Sequence, residues 1–166
     1  NAFGLKRAES SKIQTYIIEP ELFNSREAFD RELISIINQD GAELIVLAGY
    51  MRVLTPLFIS NYFGKILNIH PSLLPKFPGL NTHQKAIDAS EKIHGASVHF
   101  VTDKLDGGPI ICQESVTIES IDTAKTLSGK VLKKEHIIFP KVIHWYTQRR
   151  LKLINNITAT LDGKIL

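Results

Sequence analysis

A chain of 166 residues and 18.6 kDa in which 43% of residues are hydrophobic is the size of one domain around one core. Lysine and arginine number 20 against 17 acids and are scattered, so a nucleic-acid-binding face is not implied, and the pI near 9.0 is compatible with small anionic ligands without demanding them. The single cysteine, Cys112, rules out an internal disulfide and a Cys-rich zinc site and points to a reducing cytoplasm, and no apolar run reaches the length of a membrane span.

Short apolar runs alternate with longer amphipathic stretches, the pattern of a layered α/β domain. Residues 1–10 read as a helix, and 15–18 as a first strand closed by Glu19-Pro20. In 25–39, Phe29, Leu33, Ile36 and Ile37 recur at helical spacing behind Ser25 as N-cap, with Gly41 as the stop. Residues 44–48 (LIVLA) are continuously apolar, as expected of a strand buried on both faces of a parallel sheet. Thr55-Pro56 opens a short helix over 56–62. A strand follows at 65–70. Residues 71–81 (PSLLPKFPGLN) hold three prolines and are apolar, which predicts an ordered, irregular loop. A helix at 82–91, a strand at 96–101, a loop at 103–108 and a strand at 110–118 come next. Asp122 opens a long helix to about 149, with Pro140 as a kink or break. Residues 151–166 alternate apolar and polar around Asn155-Asn156 and Asp162-Gly163, the signature of a hairpin.

In an open α/β sheet, ligands bind beyond the carboxyl ends of strands. The strand ending Asn68-Ile69-His70-Pro71 carries two polar side chains there, and alternation places Asn68 and His70 on one face with Ile69 on the other. Asp106 precedes two glycines at the end of another strand, where it is in reach of a neighbouring histidine. Glu135 falls in the apolar stripe of Leu127, Val131, Ile138 and Val142, and a carboxylate there must sit at a cleft edge or bind something. His83, His94, His136 and His144 show no metal-ligand spacing and read as surface or packing residues, so no metal is expected.

NIHPSLLP at 68–75 followed by LDGGP at 105–109 resembles the catalytic signature of the formyltransferases that use 10-formyltetrahydrofolate. GLNTH at 79–83 and HGASVHFVTD at 94–103 are most similar to the branch of that family acting on glycinamide ribonucleotide in purine synthesis. The resemblance runs the length of the chain. It implies an α/β, Rossmann-like formyltransferase fold, with a mostly parallel sheet, helices on both faces and a C-terminal hairpin. It also implies a cytoplasmic enzyme, a monomer or homodimer, with 10-formyltetrahydrofolate as co-substrate and no membrane or nucleic-acid partner.

The resemblance assigns roles residue by residue. Asn68 and a protonated His70 donate to the oxyanion formed when the substrate amine attacks the formyl carbon, and His70 passes a proton to the departing nitrogen. Asp106 holds His70 charged, and Ser97, on the strand face opposite Ala96, Val98 and Phe100, orients water or loop. Met51, Arg52, Val53 and Leu54 line the pterin pocket, which Thr102, Asp103, Lys104, Leu105 and Asp106 close, with Asn68 contributing. Arg26 meets a folate carboxylate. Gly49, Met51, Ile69, Pro71 and Glu135 serve the nucleotide, Glu135 at the ribose hydroxyls. Another folate-using formyltransferase or hydrolase, or a folate-binding form without turnover, remains open. Family members begin with a strand, a glycine- and asparagine-rich loop that holds the phosphate, and a helix. This strand-loop-helix unit is absent from the sequence, so the expectation is one formyltransferase domain over 1–166 without it, within a longer polypeptide.

Overall fold

The computed structural model describes residues 2–155 and 157–166. Helix α1 (Phe3–Ser10) is followed by an extended segment and a 3₁₀ turn at Pro20–Leu22. Then come α2 (Arg26–Gln39), β1 (Ile45–Leu47), α3 (Pro56–Asn61), β2 (Ile66–His70), α4 (Thr82–Asp88), β3 (Ile93–Phe100) and β4 (Ile110–Thr117). The chain continues with α5 (Ala124–Thr147), β5 (Leu151–Ile154), β6 (Thr158–Leu161) and β7 (Lys164–Ile165).

Local chemistry accounts for the helix starts. Ser25 accepts from the Ala28 amide, Thr55 accepts from the Phe58 amide ahead of Pro56, and Thr123 forms a capping box with Thr126. Helix α5 therefore opens after Thr123 rather than at Asp122, and it continues through Pro140 without ending. Buried Phe139 and Val142 on either side of the proline pin it to the sheet, and that packing outweighs the missing backbone hydrogen bond.

The main sheet has the order β1-β2-β3-β4. Only β1 and β2 are parallel; β2-β3 and β3-β4 are antiparallel, so the expected α/β class holds while the mostly parallel sheet is corrected to a mixed one among the described residues. The short connection from β3 to β4 through 101–109 permits only an antiparallel return. Residues 15–18 form no strand: Tyr16 and Ile17 are exposed, and the segment has no ladder partner among the described residues. Nor is β1 buried on both faces, since Val46 is 39% exposed. Helix α4 ends at Asp88, three residues before the expected stop, and β3 begins at Ile93, three residues early. The C-terminal segment is a three-stranded antiparallel meander rather than a single hairpin. Its second turn carries positive φ at Asp162 and Gly163, as a two-residue hairpin requires; of the first, Asn156 lies outside the described residues.

Helices cover both faces of the sheet. On one, Leu127, Val131, Ile138, Phe139 and Val142 of α5 pack on Leu67, Ala96, Val98 and Phe100. On the other, Leu54, Phe58, Ile59, Tyr62 and Ile66 form a second cluster with Leu33, Ile34 and Ile37 of α2. Each such buried side chain contributes roughly 1.5–3 kcal/mol of transfer free energy. The ends of β2 and β3 are thus held rigidly at the point where polar residues emerge.

Candidate active site

Pro71 has no N–H to continue the ladder, so β2 ends at His70. The register sets Asn68 opposite His99 and His70 opposite Ser97, bringing four polar side chains onto one face across two strands. Asp106 arrives from the β3–β4 loop in a left-handed conformation, φ +48°, which a short polar side chain tolerates. The glycines after it have separate reasons. A Cβ on Gly108 would run into the Phe100 carbonyl, and one on Gly107 into the Lys104 side chain. The LDGGP stretch is therefore the sequence that folds this loop tightly enough to aim Asp106 inward.

The structure brings Asn68, His70 and Asp106 into one cluster. Asp106 Oδ2 lies 3.5 Å from His70 Nδ1 and accepts from the Gly79 amide at 2.8 Å, which ties the two loops together. His70 Nε2 meets the Phe77 carbonyl at 2.9 Å, so both ring nitrogens face oxygen acceptors. The residue that completes the cluster, His99, is one sequence reasoning missed. Its Nδ1 donates to the Phe100 carbonyl at 2.8 Å, which leaves Nε2 to accept from Asn68 Nδ2 at 3.1 Å. Burial pushes the His99 ring below the ordinary imidazole range, so it stays neutral and Asp106 Oδ1, 3.8 Å from Nε2, is not paired with a cation there. The available signal was parity: His99 is two residues from Ser97 on a strand next to Asn68.

Ser97 is fully buried, and its hydroxyl is spent on the loop. It donates to the Ser72 carbonyl at 2.6 Å and accepts from the Leu74 amide and from Gln113 Nε2. With Gln113 also donating to the Leu74 carbonyl, these side chains fasten 71–81 to β3 and β4. Of the two roles that the resemblance gives Ser97, orienting water or loop, these bonds serve the loop, because the hydroxyl proton is already committed to the Ser72 carbonyl. Ile69 packs against the α5 core, and Pro71 stands half-buried at the strand end. Glu135 is half-buried with no hydrogen bond or ion pair among the described residues, and desolvation raises its carboxyl above the usual range.

The segment after β1 is more exposed than a closed pocket wall. Gly49 turns with φ +68°, Met51 is 74% exposed, Val53 is exposed, and Arg52 stacks over the Phe29 ring at 4.9 Å. The Leu54 side chain is buried in the α2–α3 cluster, which leaves its backbone for a ligand. The Thr55 amide donates to buried Asp30 at 2.8 Å, anchoring this segment to α2. Thr102, Asp103 and Lys104 line a depression together with Gly107, Gly108 and residues of the C-terminal meander, while Leu105 is exposed. Arg26 is exposed in the first turn of α2 and has no ion pair among the described residues.

His83 and His94 are neither independent nor merely packing. His94 Nε2 meets His83 Nδ1 at 3.1 Å, and the His94 ring is 1% exposed. Among the described residues no group of three or more His, Cys, Asp or Glu is placed to hold a metal, and no helix is long and apolar enough to cross a membrane.

Residues 1–143 match the family described as Formyl transferase. The chain is 49% identical over all its 166 residues to a phosphoribosylglycinamide formyltransferase of Escherichia coli (strain K12), covering 78% of that protein. It is 43% identical to the enzyme of the same name in Haemophilus influenzae, again over 166 residues and 78% of that protein. Among solved structures, a phosphoribosylglycinamide formyltransferase from Coxiella burnetii in complex with CHES superposes with a TM-score of 0.94 at 51% identity, over 100% of this chain and 78% of the other.

Proposed function

The chain belongs to the formyl transferase family and is a formyl-transferring enzyme of purine biosynthesis, and we propose that Asn68, His70 and Asp106 carry the transfer from 10-formyltetrahydrofolate to the amine of glycinamide ribonucleotide. The observation that supports this most is the cluster itself: an amide, an imidazole and a carboxylate drawn from two strands and a loop, within 3.8 Å of one another or of a shared His99.

In this reading the amine nitrogen attacks the formyl carbon and the carbonyl π electrons move onto oxygen. Asn68 Nδ2 has two hydrogens; one is held by His99, and the other donates to the oxyanion. His70 donates through Nε2, exchanging the Phe77 carbonyl for the reacting oxygen. Collapse of the intermediate breaks the bond to N10, which takes a proton by way of His70, while the attacking amine gives up one proton through Asp106 and water. The sum is an N-formyl product and tetrahydrofolate. Arg26 pairs with the folate carboxylate, the backbone of 51–54 and the 102–106 loop flank the pterin, and Gly49, Met51, Ile69, Pro71 and Glu135 form the nucleotide side. Glu135 accepts from the ribose hydroxyls, the partner its half-buried carboxylate lacks. The enzyme works in the cytoplasm on these two small molecules.

The test is direct. The full-length polypeptide, incubated with 10-formyltetrahydrofolate and glycinamide ribonucleotide, should yield the N-formylated nucleotide by mass spectrometry. Folate binding without any such product would defeat the proposal.

A further inference from the structure

His70 on β2, Ser97 on β3 and Gln113 on β4 stand opposite one another in register, a row of three polar side chains on one face of the sheet. Only His70 belongs to the catalytic cluster. The other end of the row holds the loop that returns over it. Gln113 Nε2 has two hydrogens and both are placed: one donates to the Leu74 carbonyl at 2.9 Å, the other to Ser97 Oγ at 2.7 Å. A carbonyl only accepts, so the amide nitrogen and not its oxygen must face Leu74. Ser97 accepts from the Leu74 amide at 3.0 Å and donates to the Ser72 carbonyl at 2.6 Å. A hydroxyl has one proton and two lone pairs, so with Gln113 in place every one of them is committed to the bracket around 72–74.

From this bracket the path back to His70 is short. The Ser72 hydroxyl donates to the Lys76 carbonyl at 2.6 Å and the Lys76 amide to the Leu73 carbonyl at 3.1 Å, which closes 72–76 into one turn. Phe77 follows with φ +54°, a conformation that a bulky side chain keeps only where its surroundings impose it. Its carbonyl is the group that His70 Nε2 meets at 2.9 Å. Two residues on, the Gly79 amide donates to Asp106 Oδ2, the oxygen 3.5 Å from His70 Nδ1. The loop therefore crosses His70 between two anchors, the bracket before Phe77 and Asp106 after it. We propose that Gln113 is a positioning residue for the transfer: by fixing Leu74 and the direction of the Ser97 proton it sets the place of the Phe77 carbonyl, and with it the angle at which His70 Nε2 meets the reacting oxygen. The inference rests on the catalytic reading of His70. Ser72 and Ser97 are fully buried, whereas Gln113 is exposed on β4, two strands from β2, so the bracket can be opened there without opening the core.

Two substitutions in the full-length polypeptide test this. Gln113→Leu keeps the bulk and removes both donors; kcat should fall roughly 10- to 100-fold with little change in either KM, the scale of a small misplacement of a reacting group. Gln113→Glu keeps the shape, but its ionised carboxylate cannot donate to Leu74 and draws the Ser97 proton away from Ser72. Once protonated it donates again, so its kcat relative to the parent should recover several-fold between about pH 8 and about pH 5, whereas the Gln113→Leu ratio stays flat. A residue that only stabilised the fold would give no such recovery in kcat. A further readout needs no turnover: two-bond ¹⁵N–¹H NMR of the histidine rings should show His70 Nε2 losing its carbonyl partner in both variants at about pH 8. If the parent transfers no formyl group, the proposed function falls, and the His70 signals still decide whether Gln113 sets this ring. Should Gln113→Leu fail to fold, Gln113→Glu carries both readouts. Parent-like kcat in the folded variants, a loss confined to KM, a Gln113→Glu ratio that does not move with pH, or His70 signals identical to the parent would each overturn the proposal.

Discussion

Replacing Asn68 with alanine tests the core of the mechanism. The side chain supplies one N–H to the oxyanion, and loss of one such donor removes about 2.7–4 kcal/mol of transition-state stabilisation, or roughly 10²–10³ in kcat. The same change strips the donor from His99 Nε2, a ring only 2% exposed. An orphaned buried acceptor costs about 1–3 kcal/mol of folding stability, so urea unfolding must accompany the kinetics. The two losses separate cleanly, since the first appears in kcat and the second in the midpoint of unfolding. Folate binding, measured by fluorescence titration, should stay mostly intact, because Asn68 adds only one contact to a pocket formed largely by 51–54 and 102–106. Asn68→Asp sharpens the test, because it keeps the shape, loses both donors and sets a carboxylate beside His99, which should then take up a proton. A folded Asn68→Ala protein that turns over within threefold of the parent would refute the donor role.

Further expectations concern the cluster's surroundings. Glu135→Gln should raise KM for the nucleotide about tenfold while leaving folate affinity unchanged, since a hydroxyl gives a stronger hydrogen bond to a carboxylate than to an amide; equal effects on the two ligands, by titration calorimetry, would make Glu135 structural. Gly108→Ala forces a Cβ against the Phe100 carbonyl and should lower stability by about 1–3 kcal/mol and displace Asp106, visible as a lower unfolding midpoint together with reduced kcat. Acid should weaken the fold through His94. Its folded pKa of about 4 lies below the ordinary imidazole value of 6.5, so the unfolded chain binds more protons in between. That contribution is complete above 6.5 and fades as pH falls toward 4, amounting to at most about 3 kcal/mol. Denaturation at several pH values should show a shallower fall in His94→Asn than in the parent.

Much of the architecture is local chemistry and was legible in the chain. Ser25, Thr55-Pro56 and the 3.6-residue spacing of α2 and α5 specify those helices with no help from distant residues. What could not be read was strand direction and partnership. The apolar runs at 15–18 and 44–48 look alike on paper, yet among the described residues only the second pairs into the sheet, because pairing depends on which segments meet in space. Pro140, a local breaker, sits inside one continuous helix because packing on both sides holds it there.

The site divides in the same way. Two-residue alternation and a terminating proline were sufficient to put Asn68 and His70 on one face at a strand end, and the motif pair with LDGGP pointed to Asp106. Geometry alone decided how these groups are wired. The antiparallel register places His99 against Asn68 and commits Ser97 to the loop, and burial keeps His99 and His94 neutral. A sequence states which side chains are available and which face each takes along its own element. Tautomer, charge state and hydrogen-bond partner are properties of the space between elements, and they exist only once β2, β3 and the two loops have come together.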